Sequence, residues 1–310
     1  MPGKLIVPAA LAAASVLALA GCAGSATSAS SDSADGAIEV VAATNAYGDI
    51  AATVGGDLVE VTSLIDSSSQ DPHEFEASAS DQLAIESAQL IIENGGGYDP
   101  FVDSLIEAAG SEAPVISAVE YSDAWTGDDP TEAVEGFNEH VFYDPAVMAE
   151  VAAAIAEQLG EIDPDDADEF TANAEAFADD IDEQVTPILD EIAADHTGEE
   201  IFVTEPVPLY LAEAAGLVNV TPEEFSEAVE EGDDVAPATL LEALDLIASG
   251  DVSIVFVNAQ AAGAETTQVE DQAETSGVPV IKASELLPDG DTYVSWMTDM
   301  ATQIKDALSE

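Results

Sequence analysis

Positive charge is almost missing from this chain. Its 310 residues include only Lys4, Lys282 and Lys305 as cations, set against 65 aspartates and glutamates. Nucleic acid is thereby excluded as a natural partner, because a polyanion gains no counterion release on meeting another polyanion. Cysteine occurs once, at Cys22, so no intrachain disulfide can form. Histidine occurs only at His73, His140 and His196, which leaves a chain poor in nitrogen ligands and crowded with carboxylates. Neither a Gly-x-Ser-x-Gly elbow nor a phosphate loop is present, which removes the usual sequence signs of a hydrolase or nucleotide enzyme. Beyond residue 20 no run is apolar enough to span a bilayer.

What is present is a globular composition carrying an extreme acidic surface. A hydrophobic content of 47% excludes wholesale disorder, and the length allows two domains of ordinary size. Lys4 precedes an apolar run from Leu5 through Ala20 that is too short for a spanning helix and is followed by Ala23-Gly24-Ser25 rather than by basic residues, the pattern of a signal sequence. It ends in Leu19-Ala20-Gly21-Cys22, which resembles a bacterial lipobox and implies lipidation of Cys22. Residues 23–37, rich in serine and alanine, read as a flexible tether. The expectation is a soluble body held at the outer face of a bacterial cell membrane.

From Ile38 the pattern alternates strand, glycine turn and helix, the signature of parallel sheets covered on both faces. Strands are expected at Ile38 to Ala43, Leu58 to Ile65 and Leu90 to Asn94, with helices at Tyr47 to Val54, from Ser80-Asp81 to Gln89, and at Asp99 to Ala109. An acidic loop from Tyr121 to Glu139 delivers His140, and Pro145 opens a helix. Roughly Asp166 to Asp195 keeps three- and four-residue apolar spacing and predicts one long connector, bent where Pro187 removes a backbone donor. The second half repeats the alternation, with strands at Ile201 to Val203, Val252 to Val257 and Val278 to Ile281. The architecture predicted is α/β: an N-terminal domain over 38–162, a connecting helix over 163–197 and a C-terminal domain over 198–310, with ligands in the cleft at the carboxyl ends of the strands.

His73 lies in Asp71-Pro72-His73-Glu74-Phe75-Glu76, where strand pattern gives way to loop, and His140 lies in similar acidic and aromatic company. Two neutral imidazoles with carboxylates suit a divalent first-row metal better than calcium or magnesium. His196, in the turn after the connector, reads as exposed and structural.

Whole segments resemble the metal-binding lipoproteins that serve ABC importers for zinc and manganese. Members look like Asp-Pro-His-x-Tyr/Phe-Glu followed by a Ser-x-x-Asp helix, here Asp71 to Glu76 and then Ser78 to Asp81. They also carry Asn94-Gly95 at a strand end and a second histidine before an aromatic and Asp-Pro, as in His140 to Pro145. The resemblance extends in order through Thr204-Glu205-Pro206, Tyr210, Asn258-Ala259-Gln260 and Gly290 to Tyr293. It implies His73, His140, Glu205 and Asp291 as metal ligands, Mn2+ or Zn2+ as transported ligand, and an ABC transporter permease as partner to a monomer. Glu205 stands where many zinc-importing relatives have a third histidine, and the Tyr121 to Glu139 loop lacks a histidine cluster; both favour manganese. A metal-dependent surface adhesin is the alternative, and a metallohydrolase a weaker one, since four protein ligands would close the open position that catalysis needs.

So acidic a surface repels itself at low ionic strength, and salt screens the repulsion beyond about 10 Å at 0.1 M. The expectation is a protein from a salt-tolerant organism whose melting temperature rises with added salt. A melting temperature indifferent to salt in a thermal scan would count against it.

Overall fold

Strand β1 (Ile38–Thr44) and strand β3 (Leu90–Glu93) are almost wholly buried, as central strands of a parallel sheet must be when both faces are covered. The computed structural model describes residues 36–67, 70, 72, 75–261 and 263–309. The leader 1–22 with Cys22, the tether up to residue 35, and Asp71, His73 and Glu74 lie outside the described residues.

In the first lobe β1 is flanked by β2 (Val59–Ile65) and β3, and β4 (Val115–Ser117) completes a parallel sheet of order β2-β1-β3-β4. Helices α1 (Asn45–Gly55), α2 (Ala79–Ser87) and α3 (Pro100–Ala109) cross between strands. α2 begins two residues earlier than the sequence reading placed it, because Ser78 rather than Ser80 is the cap and exchanges hydrogen bonds with Asp81 in a capping box. Helix α4 (Pro145–Ile162) opens on proline as expected, with the Asp144 carboxylate accepting from the Ala146 and Val147 N–H groups.

The connector is two helices, α5 (Ala167–Gln184) and α6 (Thr186–His196), meeting at Val185. Val185 stays helical and donates to the Ile181 carbonyl, while Pro187 has no N–H to give, so the hydrogen-bond ladder breaks between the two helices.

The second lobe repeats the first in topology. Its sheet has the order β6-β5-β7-β8, all parallel, from β5 (Glu200–Val203), β6 (Val218–Asn219), β7 (Val252–Asn258) and β8 (Val280–Ala283). Helices α7 (Leu209–Ala214), α8 (Glu223–Glu230), α9 (Pro237–Ser249) and α10 (Ala264–Ser276) connect the strands, and α11 (Tyr293–Leu308) packs back toward the first lobe. The two parallel-sheet α/β lobes are therefore as read from the sequence, whereas β4, β6 and α8 escaped it.

The principal hydrophobic core does not stop at either lobe. One cluster runs from Ile50 and Tyr47 of α1 through Phe142, Ile155 and Phe177 to Tyr293, Trp296 and Met300 of α11, and includes Val203 and Phe256 of the second sheet. Phe142 and Trp296 stack with centroids 6.4 Å apart, and Tyr143 meets Trp296 edge-on at 5.2 Å.

Glu93, at the end of β3, is a buried acid with little to hold its charge. Ser117 donates to one oxygen, and the other has no hydrogen-bond partner among the described residues. Burial first, then the nearby Asp99, with Asp103 and Glu120 adding to it, push its carboxyl up to about 8. The folded protein therefore holds a proton there that the unfolded chain sheds above about pH 4.3, so its stabilising share is complete below that pH and is lost as the pH rises through about 8. Replacing Glu93 by Gln should flatten this decline, with a gain on the order of 1–3 kcal/mol at pH 9 relative to pH 5 in denaturant unfolding at fixed salt. An unchanged pH profile would contradict the assignment.

Candidate metal centre

Both sheets aim the carboxyl ends of their strands at one cleft, where ligands collect in α/β folds. From the first lobe comes His140. Its loop is seated on a run of three glycines, Gly95 to Gly97, all with positive φ. Gly96 donates to the Pro130 carbonyl at 2.6 Å. A Cβ on Gly95 would lie 2.8 Å from that oxygen, and one on Gly97 would lie 2.7 Å from the Ala133 Cβ. Only glycine lets the acidic loop approach so closely. Asn94 secures the loop's end by donating to the Glu139 carbonyl at 2.9 Å.

His140 is fully buried, with its ring edge-on to Tyr98 at 5.7 Å. Its Nδ1 lies 2.8 Å from Asn138 Oδ1, and the Asn138 amide is oriented by its own donation to the Pro206 carbonyl at 3.0 Å. A carbonyl oxygen accepts only, so Nδ1 carries the proton and Nε2 bears the lone pair, the tautomer a metal requires.

From the second lobe come two buried carboxylates, Glu205 just after β5 and Glu285 just after β8. Glu285 Oε2 lies 3.9 Å from His140 Nε2. The two carboxylates are joined by Asn258, the last residue of β7, whose Nδ2 donates to Glu205 Oε2 at 2.6 Å and to Glu285 Oε1 at 2.7 Å. Burial pushes the Tyr98 phenol well up, and the Glu285 charge beside it adds to the effect, so the phenol remains a donor facing that carboxylate. Glu139 and Glu230 bring carboxylate oxygens within 4.8 Å of one another and of a His140 ring nitrogen, and Glu230 Oε1 lies 4.0 Å from His140 Nδ1.

Of the residues implied by the family resemblance, the structure brings His140 and Glu205 to this cleft, and His73 lies outside the described residues. Asp291 makes no described contact with either His140 or Glu205. It is half-buried just before α11, with its N–H on the Pro288 carbonyl, and its carboxylate makes no hydrogen bond or ion pair among the described residues. The acid that faces His140 Nε2 is Glu285, six positions earlier in the chain. Sequence reading missed it because Ser284-Glu285-Leu286 resembles ordinary loop, although its place at a strand's carboxyl end was a usable signal. Asn258 lay within a segment marked by the resemblance but was given no role, and Tyr98 was missed. His196 ends α6 and pairs with Glu199 at 2.7 Å, away from the cleft.

The lobes are tied beside the site. Tyr143 donates to the Ser284 carbonyl at 2.8 Å and accepts from the Ser284 N–H at 3.2 Å, one residue before Glu285. Asn45 makes a matching pair of bonds to Leu287, at 2.8 and 2.9 Å. Tyr143→Phe should strip both partners from Ser284 and cost about 1–3 kcal/mol in denaturant unfolding. A loss below a few tenths would show that the tie adds nothing.

Two carboxylates buried side by side, with no lysine or arginine near them, make a setting that a cation would stabilise. Among the described residues no helix is long and apolar enough to cross a membrane. A family model described as zinc-uptake complex component A, periplasmic, matches residues 40–307. The manganese-binding lipoprotein MntA of Halalkalibacterium halodurans is 27% identical over 282 residues, covering 88% of this chain and 89% of that protein. The crystal structure of ZnuA superposes with a TM-score of 0.71 at 22% identity, covering 88% of this chain and 99% of the other. A mutant structure of the laminin-binding adhesin Lmb from Streptococcus agalactiae gives a TM-score of 0.71 at 23% identity, covering 87% and 99%. With its parallel lobes, its cleft and a match running nearly its whole length, the chain belongs to the zinc-uptake complex component A family.

Proposed function

We propose that this protein captures a divalent transition metal outside the cytoplasm and delivers it to an ABC-type permease, without covalent chemistry. The observation that carries this reading is the meeting of the His140 lone-pair nitrogen with Glu285, 3.9 Å away, a separation that one ion can bridge. His140, Glu205 and Glu285 form the core of the set, with His73 as the second imidazole and Asp291 as the acid that the resemblance adds. Two carboxylates neutralise a dication while the imidazoles stay uncharged, so the ion needs no further anion.

Manganese is favoured over zinc. Oxygen-rich sets suit it, zinc outranks it in intrinsic affinity at most nitrogen and oxygen sites, and so geometry and supply must decide. The relative named as a manganese-binding lipoprotein supports the same choice. Cys22 is the lipid attachment that keeps the body at the membrane's outer face. The likeness to Lmb keeps an adhesive role as the second reading; binding of a matrix protein that survives metal removal and substitution of the ligands would favour it.

The test is metal analysis of protein expressed with manganese and zinc both supplied. Near-stoichiometric manganese is expected in the parent protein. His73→Ala, His140→Ala and Glu285→Gln should each weaken binding by more than the ~10–100-fold typical of partners one step removed from the ion. Asp291→Asn, measured beside Glu285→Gln, identifies which of the two acids completes the set, since loss of the ligand is the change that weakens binding. Metal content unchanged by both histidine substitutions would overturn the reading.

A further inference from the structure

The orientation of the Asn258 amide is fixed by its surroundings. Its Oδ1 accepts from the Gln260 N–H at 2.9 Å, so the group facing the two glutamates is the NH2, and its two hydrogens match two carboxylate acceptors. The side chain is held from behind as well, because its own N–H donates to Thr204 Oγ1 at 3.1 Å, and Thr204 is fixed through its N–H to the Phe256 carbonyl. Gln260 then pins the second carboxylate's loop, accepting from the Glu285 N–H at 3.0 Å and donating to Ser284 Oγ at 3.0 Å. A rigid, neutral donor thus stands between two acids that would otherwise repel each other in a buried site.

Resting on the metal-capture reading, we propose that Asn258 is a positioning and specificity-determining residue: it holds Glu205 and Glu285 side by side before the ion arrives, and by engaging one oxygen of each it limits each to a single ligand oxygen. Calcium fills six to eight oxygen positions and commonly takes carboxylates through both oxygens. Acids that each turn one oxygen to Asn258 fill fewer of those positions, whereas a transition metal also bound by imidazole needs no more. The Asn258 clamp therefore disfavours calcium while it pre-pays the approach of the two charges.

The experiment is equilibrium dialysis of the full chain against Mn2+ alone and Ca2+ alone at fixed pH and salt, comparing the parent protein with Asn258→Leu, which is close in size and lacks the donors. Circular dichroism checks that the fold is kept. Manganese affinity should fall about 10–100-fold, and calcium affinity should hold or rise, so the preference for manganese shrinks by about the same factor. Should the Leu variant not fold, Asn258→Ser provides the reading, since one hydroxyl can donate to only one carboxylate, and a smaller shift in the same direction is expected. A folded variant with the parent's manganese-to-calcium ratio, whether both affinities are kept or both fall together, would overturn the role given to Asn258. A parent protein that binds neither Mn2+ nor Zn2+ would instead overturn the metal reading itself.

Discussion

Glu205 and Glu285, two acids buried within reach of a single asparagine, set the terms for the rest of the molecule. Ionised carboxylates are expensive to remove from water unless something compensates them. A protein with three lysines and no arginine cannot supply the usual partner. Compensation comes from neutral donors, the Asn258 amide foremost, and is completed by a visiting cation. The surrounding structure holds these acids in register: β5, β7 and β8 place them, Gln260 and Ser284 brace the loop, and Tyr143 fastens that loop to the opposite lobe.

The same logic explains why the first lobe contributes nitrogen. His140 arrives on a loop that can approach β3 only because Gly95 to Gly97 accept positive φ and the near contact of Pro130 and Ala133. Once there, Asn138 decides which ring nitrogen is protonated. Neither lobe is sufficient alone, since one brings the imidazole and the other the acids.

Much of this was legible in the chain itself. The continuous apolar runs of β1 and β7 and the glycine-punctuated alternation revealed parallel sheets, and Pro187 marked the break in the connector correctly. Short edge strands were not legible: β4 and β6 have three and two residues, too few for any periodicity to register. α8 was hidden because its residues are mainly acidic and only Phe225 is buried. At the site, His140 and Glu205 lay within recognisable segments, whereas Glu285 depends on the register of β8 and the path of the loop after it, which are tertiary facts. Asp291 entered the ligand set through the resemblance, and in the structure it sits one residue before Thr292, the cap of α11.

The unbroken core beneath the cleft has a consequence for how cargo leaves. Phe142, Tyr143, Tyr293 and Trp296 interlock across the floor of the cleft, so swinging the lobes apart would expose aromatic surface at great cost. Exchange of cargo is therefore confined to motions smaller than a parting of the lobes, since the loop that carries Glu285 is itself held to the first lobe by Tyr143 and Asn45, as a drawer is held by its runners.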